Sequence, residues 1–422
     1  MPQRHLCNIN MWAVAVMTFL ALAASATKPA QAQAYSVLHT FTNVPDGSAP
    51  YPLIQDKHGN LYGTTEWGGA LCGGGGATCG TVFKVDRVGT ETVLYRFGGG
   101  NDGANPVAAL VQDAAGNLYG TTRGNGAIPA FSTLFKIDPS GHETVLHVFD
   151  PSFQVCCQDS PLALDEAGNL YGMSPYAGEA DCGVNQVGCG SLYELTRSGK
   201  LKLLHIFKGP DGIRPEGGLV RDAKGDLYGT TYLGGDLSCE SIGGPSGCGT
   251  VFKLSSDGKE TVLHRFSGHA DGANPLGLIQ DPGGNLYGIA GFGGDLNCYE
   301  GAGCGTIFKV DTSGKFSVFF TFTPDIMPEP SFAIHLLRDP EGNLYGVNQI
   351  GGANFSGFLF KIDASGKFTN LFNFPSTAEV QDGSMPMGVT RDSAGNFYGS
   401  MLIDGSRANC EFGCGTVFKI TF

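Results

Sequence analysis

From about residue 36 onward, the chain alternates apolar stretches of strand length with short polar turns. Four such stretches recur in fixed order. In the first copy they are Leu53–Gln55, Asn60–Thr64, Thr81–Val85 and Thr92–Phe97, here termed a, b, c and d. None carries the i, i+3, i+4, i+7 pattern of an amphipathic helix, so the reading is all-β. Stretch a joins b through Asp56-Lys57-His58-Gly59, and c joins d through Asp86-Arg87-Val88-Gly89. In both turns Asp can accept backbone N–H groups and Gly can take a positive φ.

One phrase, Asp-x-x-Gly-Asn-Leu-Tyr-Gly, marks each repeat. Its first glycine stands at Gly59, Gly116, Gly168, Gly225, Gly284, Gly342 and Gly395. The seven copies are spaced 52 to 59 residues apart and account for the whole chain beyond residue 34. A four-stranded antiparallel unit of this length cannot bury both of its faces alone. Repetition therefore predicts a seven-bladed β-propeller occupying residues 35–422 as a single domain. Aromatic residues recur in register. Tyr62 and its equivalents end the b phrase, Phe83 and its equivalents (Tyr193 in the third copy) sit in c, and Phe41, Phe97 and their equivalents end d. These rings are expected to form the inter-blade core. Residues 36–41 (Ser-Val-Leu-His-Thr-Phe) read as a d strand with no a, b or c before it, and Gly415–Phe422 as a c strand with no d after it. The prediction is that Val37–Phe41 pairs with Val417–Thr421 and closes the last blade, hiding two sheet edges.

The phrases Gly80-Thr81-Val82-Phe83-Lys84, Asp102-Gly103-Ala104-Asn105-Pro106 and Gly116-Asn117-Leu118-Tyr119-Gly120-Thr121-Thr122 resemble the GloVer tandem-repeat family of exported bacterial proteins, across essentially residues 36–422. The resemblance implies an exported protein without an assigned activity. Many members carry a C-terminal surface anchor. That feature is not carried over here, because this sequence stops at Phe422 directly after a strand. The Asp-x-x-Gly-Asn-Leu-Tyr turn is also similar to that of NHL-type and gluconolactonase-like propellers, and brings no active site with it.

Composition narrows the class. Glycine numbers 66 of 422 residues without a collagen period, and 28 Phe and 14 Tyr argue against disorder. The net charge of -13 and the absence of a Lys/Arg cluster exclude a nucleic-acid binder. Residues 1–34 read as a signal peptide: Arg4 and His5 lead an apolar run, Met11–Ala24, followed by small-residue sites ending at Ala26, Ala32 and Ala34. No later stretch is apolar enough to span a membrane, so a secreted monomer, periplasmic or extracellular, is expected.

Ten of the 13 cysteines fall two by two within single b–c loops. In an oxidising compartment these pair as Cys72–Cys79, Cys182–Cys189, Cys239–Cys248, Cys298–Cys304 and Cys410–Cys414. The vicinal Cys156-Cys157 leaves a disulfide and free thiols both open.

The a–b and c–d turns are short and uniform, whereas the b–c loops and d–a crossings vary. Any ligand is therefore expected on the b–c/d–a face or at the channel mouth. The crossing phrase Asp-Gly-x-x-Pro supplies candidate binding carboxylates: Asp46, Asp102, Asp211, Asp271 and Asp382. Two readings stand. In one, Asp caps a turn and Pro fixes strand a. In the other, the carboxylates ring the channel mouth and take Ca²⁺ or a sugar. His39, His147, His205 and His264 share a strand-d position with Tyr95, Phe320 and Phe372, which reads as packing. No G-x-S-x-G, H-E-x-x-H or Walker phrase is present, and no catalytic residue or cofactor is assigned. The expected function is a non-enzymatic binding or structural module for a glycan, an envelope component or a protein. The alternative is a metal-assisted lactonase-like or polysaccharide-degrading enzyme working at the channel mouth.

Overall fold

The computed structural model describes residues 34–72, 77–124, 132–149, 160–178, 182, 188–241, 244–327, 335–375, 385–403, 410 and 413–422. They form seven antiparallel four-stranded blades, each ordered a-b-c-d. Blade 1 comprises a (Ser48–Pro50 with Ile54–Gln55), b (Leu61–Trp67), c (Thr81–Val85) and d (Glu91–Arg96). Blades 2 to 6 run from Val111 to Val148, Ala163 to Ile206, Ile213 to Arg265, Ala273 to Thr321 and Leu336 to Asn373. Blade 7 takes a, b and c from Pro386–Arg391, Phe397–Met401 and Thr416–Thr421, and its d from Ala34–Thr40. The ring is thus closed by the first strand, as expected, with Ser36 opposite Lys419 and Val37 opposite Phe418. Two bounds differ from the sequence reading by two residues or more, at the closing strand and at strand b of blade 1, and strand a of blade 1 gains the segment Ser48–Pro50. The closing strand begins at Ala34, and blade 1 strand b runs three residues further, to Trp67, because Ser48 and Pro50 pair with Trp67 and Thr65.

The repeat phrase explains itself in three dimensions. Asp56 Oδ1 accepts the backbone N–H of His58 and Asn60, while Oδ2 accepts Asn60 Nδ2 at 2.7 Å and the Tyr62 hydroxyl at 3.1 Å. The turn is therefore locked by its own side chains. The same Tyr-to-Asp bond recurs in all seven blades. Where the phrase has Asp226 in place of Asn, that carboxylate pairs with Lys253 at 2.6 Å.

The glycine after Tyr is needed for packing. Gly63 pairs with Phe83 across the b–c ladder, and a Cβ on Gly63 would lie 2.7 Å from the Phe83 ring. The c-strand ring lies across this bare backbone and meets the terminal Phe of the preceding blade's strand d edge-on. Centroid distances for these pairs run from 4.9 Å (Phe41–Phe83) to 5.7 Å (Phe322–Phe360). All seven interfaces hold such a pair. Each contributes about 0.5–1.5 kcal/mol beyond its buried area.

Every strand d carries a β-bulge that the apolar pattern did not reveal. The register slips between Val37 and His39, and at the matching position in the other six blades. The bulged residue (Leu38, Leu94, Leu146, Leu204, Leu263, Phe319 or Leu371) packs against the hydrophobic cluster beside it. The extra residue puts the following flat ring onto the end of the same strand's Phe, as in His39–Phe41 at 4.7 Å.

Candidate functional site: the channel mouth

Strand a of each blade, or the residues leading into it, lines a central cavity of about 550 Å³, within the usual range for a small-ligand pocket. Its neck is built by the residue preceding the strand-a Leu or Val of each blade: Pro52, Ala109, Pro161, Gly218, Gly277, His335 and Gly388. Six of these are small or cyclic and keep the neck open. A Cβ on Gly388 would sit at ordinary contact distance from its neighbours in the ring, 3.4 Å from Pro52 and 3.5 Å from His335. His335 is the one ionisable residue of the seven, and burial holds its imidazole below the usual histidine range.

Above the neck, on the b–c/d–a face, polar side chains converge from blades 1 to 4. Arg214 enters at the start of blade 4 strand a. Its guanidinium stands 5.0 Å from the Tyr232 ring and 5.6 Å from the Tyr176 ring, and its Nε donates to Glu216. Burial works against its charge, but Glu216 and the two tyrosines outweigh it and raise its pKa. Across the mouth, Arg123 lies 3.8 Å from Glu66, whose other oxygen accepts the Tyr51 hydroxyl at 3.2 Å. Below this crescent the lining is mainly apolar, including Ile54, Leu110, Leu278 and Ile279.

The backbone at Arg214 is itself unusual. The residue before Pro in the crossing phrase adopts a left-handed conformation in blades 1, 2, 4, 5 and 7: Ala49, Asn105, Arg214, Asn274 and Met385, with φ between 49° and 60°. Asn suits this conformation. Asn105 and Asn274 also use the side-chain amide to hold the carbonyls of Glu66 and Tyr232. Arg214 occupies the slot without that fit. In four blades the N–H of this residue donates to the carbonyl of the second cysteine in the preceding blade's b–c loop: Ala49 to Cys414, Asn105 to Cys79, Arg214 to Cys189 and Asn274 to Cys248. The disulfides Cys72–Cys79, Cys182–Cys189, Cys239–Cys248, Cys298–Cys304 and Cys410–Cys414 are all formed. Four of these loops are thus the docks for the neighbouring crossings. Cys156 and Cys157 lie outside the described residues.

The sequence-nominated carboxylates are placed elsewhere. Asp46, Asp102, Asp211 and Asp271 lie against strand d, the edge of the blade farthest from the channel-lining strand a, and Asp382 is outside the described residues. His39, His205 and His264 reach Asp46, Asp211 and Asp271 at 3.2, 3.0 and 2.9 Å. The Tyr95 hydroxyl reaches Asp102 at 2.6 Å. Backbone N–H groups of Thr42, Gly98, Lys208 and Ser267 occupy the carboxylates further. Burial opposes ionisation of Asp46, Asp211 and Asp271, yet these hydrogen bonds hold all three below the ordinary carboxylate range. The phrase therefore builds capped turns at the outer rim. The flat-ring position in strand d is both packing and anchor, a role its alternation with Phe concealed.

Arg123, Arg214, Glu216, Glu66 and His335 were missed from sequence. One of them carried a readable signal: His335 stands at a slot otherwise filled by Pro, Ala or Gly.

The fold and this mouth define a closed seven-bladed propeller with one asymmetric channel opening. The family described as Gloeobacter/Verrucomicrobia repeat matches residues 26–242 and 237–422, and the chain belongs to it. No curated protein matches the chain in sequence. Among solved structures, a catalytically inactive H270A virginiamycin B lyase from Staphylococcus aureus, determined with quinupristin, is similar over 92% of this chain and 99% of its own, at 14% identity and a TM-score of 0.61. The extracellular domain of a one-component system from B. thetaiotaomicron is similar at 11% identity and a TM-score of 0.54, over 90% of this chain and 39% of its own. PorZ, a bacterial surface component of the type-IX secretion system of Porphyromonas gingivalis, is similar at 15% identity and a TM-score of 0.51, over 91% of this chain and 47% of its own. At these identities the likeness concerns the fold.

Proposed function

We propose that this chain is an exported, non-enzymatic binding propeller that takes its ligand at the channel mouth on the b–c/d–a face. Residues 1–34 are its export signal, and the propeller from residue 35 is the mature protein. The disulfides support an oxidising compartment. Arg214 carries the functional reading. The left-handed backbone belongs to the slot, since Ala49 and Met385 share it, so the reading rests on the side chain that Arg214 places there. That side chain holds a guanidinium between two tyrosines over the one opening that all seven blades share. An apolar channel beneath two Arg–Glu pairs favours a ligand with an apolar segment and a polar head, and so an envelope component over a bare glycan.

The test is a binding screen of the purified protein against envelope lipids, glycans and peptides, repeated with Arg214→Asn and Arg123→Ala. Arg214→Asn should fold at least as well as the wild type while binding falls tenfold or more. Undiminished binding by both variants would overturn the mouth as the site. Turnover of the bound compound, lost in His335→Ala, would transfer the case to the enzymatic alternative.

A further inference from the structure

A second cluster of ligating side chains lies at the outer rim, between blades 3 and 4. His205, at the end of blade 3 strand d, faces Asp211 of the following crossing, with Nε2 and Oδ2 3.0 Å apart. Glu260, the first residue of blade 4 strand d, completes the group. One ligand atom from each lies within 4.8 Å of the other two, and among the described residues no other such group occurs.

Strand-d alignment explains why these residues meet. In blades 5, 6 and 7 a ring near the start of strand d stacks on the flat ring of the preceding blade. Phe316 stacks on His264 at 3.5 Å, Phe368 on Phe320 at 5.8 Å and Tyr35 on Phe372 at 5.5 Å. In blades 1, 2 and 4 this place holds Glu91, Glu143 and Glu260, each with a buried Oε1 that receives no hydrogen bond, and among the described residues only Glu260 has His and Asp ligand atoms within 4.8 Å. Burial disfavours the charged form of Glu260, opposed by His205 and reinforced by repulsion from Asp211. The blade 3–blade 4 interface therefore presents two carboxylates and an imidazole with one oxygen unsatisfied. A groove of about 380 Å³, lined by Asp211, Glu260, Lys208 and Arg265 among others, opens beside them. Lys208 contributes its backbone N–H to Asp211 Oδ1, and Arg265 Nε is engaged by the Pro210 carbonyl.

We infer that His205, Asp211 and Glu260 form a binding site for a divalent first-row transition ion. One imidazole and two carboxylates are a donor set suited to Zn²⁺ or Mn²⁺, and their spacing needs only side-chain rotation to reach bonding distance. Ion binding requires a neutral imidazole whose Nε2 lone pair faces the ion, with the ring proton on Nδ1. The ion bridges blades 3 and 4 and would add to ring stability rather than to chemistry in the channel. The group His39, Asp46 and Glu91 repeats the residue types between blades 7 and 1, but its ligand atoms do not all lie within 4.8 Å of one another. Between blades 1 and 2, Tyr95 replaces the imidazole.

The ring supplies its own controls. His205→Phe copies Phe320, and Glu260→Phe copies Phe316, so both substitutions are already accommodated at equivalent positions. Purified disulfide-intact protein is dialysed against Zn²⁺ alone, and bound metal and thermal midpoint are measured. The wild type should hold one more equivalent than either variant and gain a Zn²⁺-dependent rise in midpoint that both variants lack. Equal uptake by all three would overturn the site. Imidazole resonances of the unmodified protein give a readout independent of any variant: Zn²⁺ should shift His205 selectively, and an unmoved His205 would also overturn it. Neither outcome bears on the channel mouth.

Discussion

The Phe41 ring meets the Phe83 ring edge-on at 4.9 Å, although Phe41 completes the last blade and Phe83 belongs to the first. The contact is one of seven alike, so the seam where the chain closes has the same packing as an interface built from consecutive sequence. Phe41→Ala should therefore cost about as much as Phe207→Ala, roughly 3–5 kcal/mol each, measured by urea denaturation. A much smaller loss at Phe41 would mean that the seam is weaker than the other interfaces.

Gly229 faces Phe252 across the b–c ladder, and a Cβ there would lie 2.5 Å from the ring. Gly229→Ala is expected to destabilise by roughly 1–3 kcal/mol through overpacking. Gly258 has open space around it but a φ of 88°, so Gly258→Ala should cost only about 1 kcal/mol, from backbone strain alone. Comparing the two midpoints separates crowding from conformational strain.

Tyr193 stands where the other six blades have Phe. It is fully buried, its hydroxyl has no hydrogen-bond partner, and burial pushes its pKa well above the usual tyrosine value. Tyr193→Phe removes an unsatisfied polar group at unchanged shape and should stabilise by about 1 kcal/mol. A loss of stability in thermal unfolding would show that the hydroxyl has a partner in the folded protein.

Cys248 accepts the Asn274 N–H at 2.8 Å, and its disulfide to Cys239 holds the loop that makes this dock. Replacing both cysteines with Ala should cost roughly 2–3 kcal/mol through the unfolded chain. It should also speed hydrogen exchange at Asn274 more than at amides within the blade ladders. Unchanged exchange at Asn274 would show that the crossing docks without the disulfide.

Glu143 is raised to about 7 by burial first and by Asp102 second. Its folded pKa exceeds its unfolded value, so folding favours the protonated acid. The destabilisation is present above about pH 7 and is relieved as pH falls from there towards the ordinary glutamate range. Glu143→Gln should therefore be more stable than the wild type at pH 8 and lose that advantage by pH 5. An advantage independent of pH would point to packing rather than ionisation.

Blade number, strand order, ring closure by the first strand and the five disulfides were legible in the sequence, because each is a local pattern repeated in register. Turn residues, b-strand glycines and c- and d-strand rings recur at fixed offsets, and an antiparallel unit that cannot cover its own faces leaves a closed ring as the stable arrangement. The strand-d bulges were hidden, since one extra residue alters pairing without altering the apolar pattern. The site was hidden for a related reason. Asp46, Asp102, Asp211 and Asp271 stood out by repetition, yet what their repetition marks is a capped turn against strand d. Arg123, Arg214, Glu216 and His335 share no motif and stand far apart in the chain. Only the circular stacking of seven blades brings their strands to one channel, and no spacing along a sequence encodes a meeting at the axis of a ring.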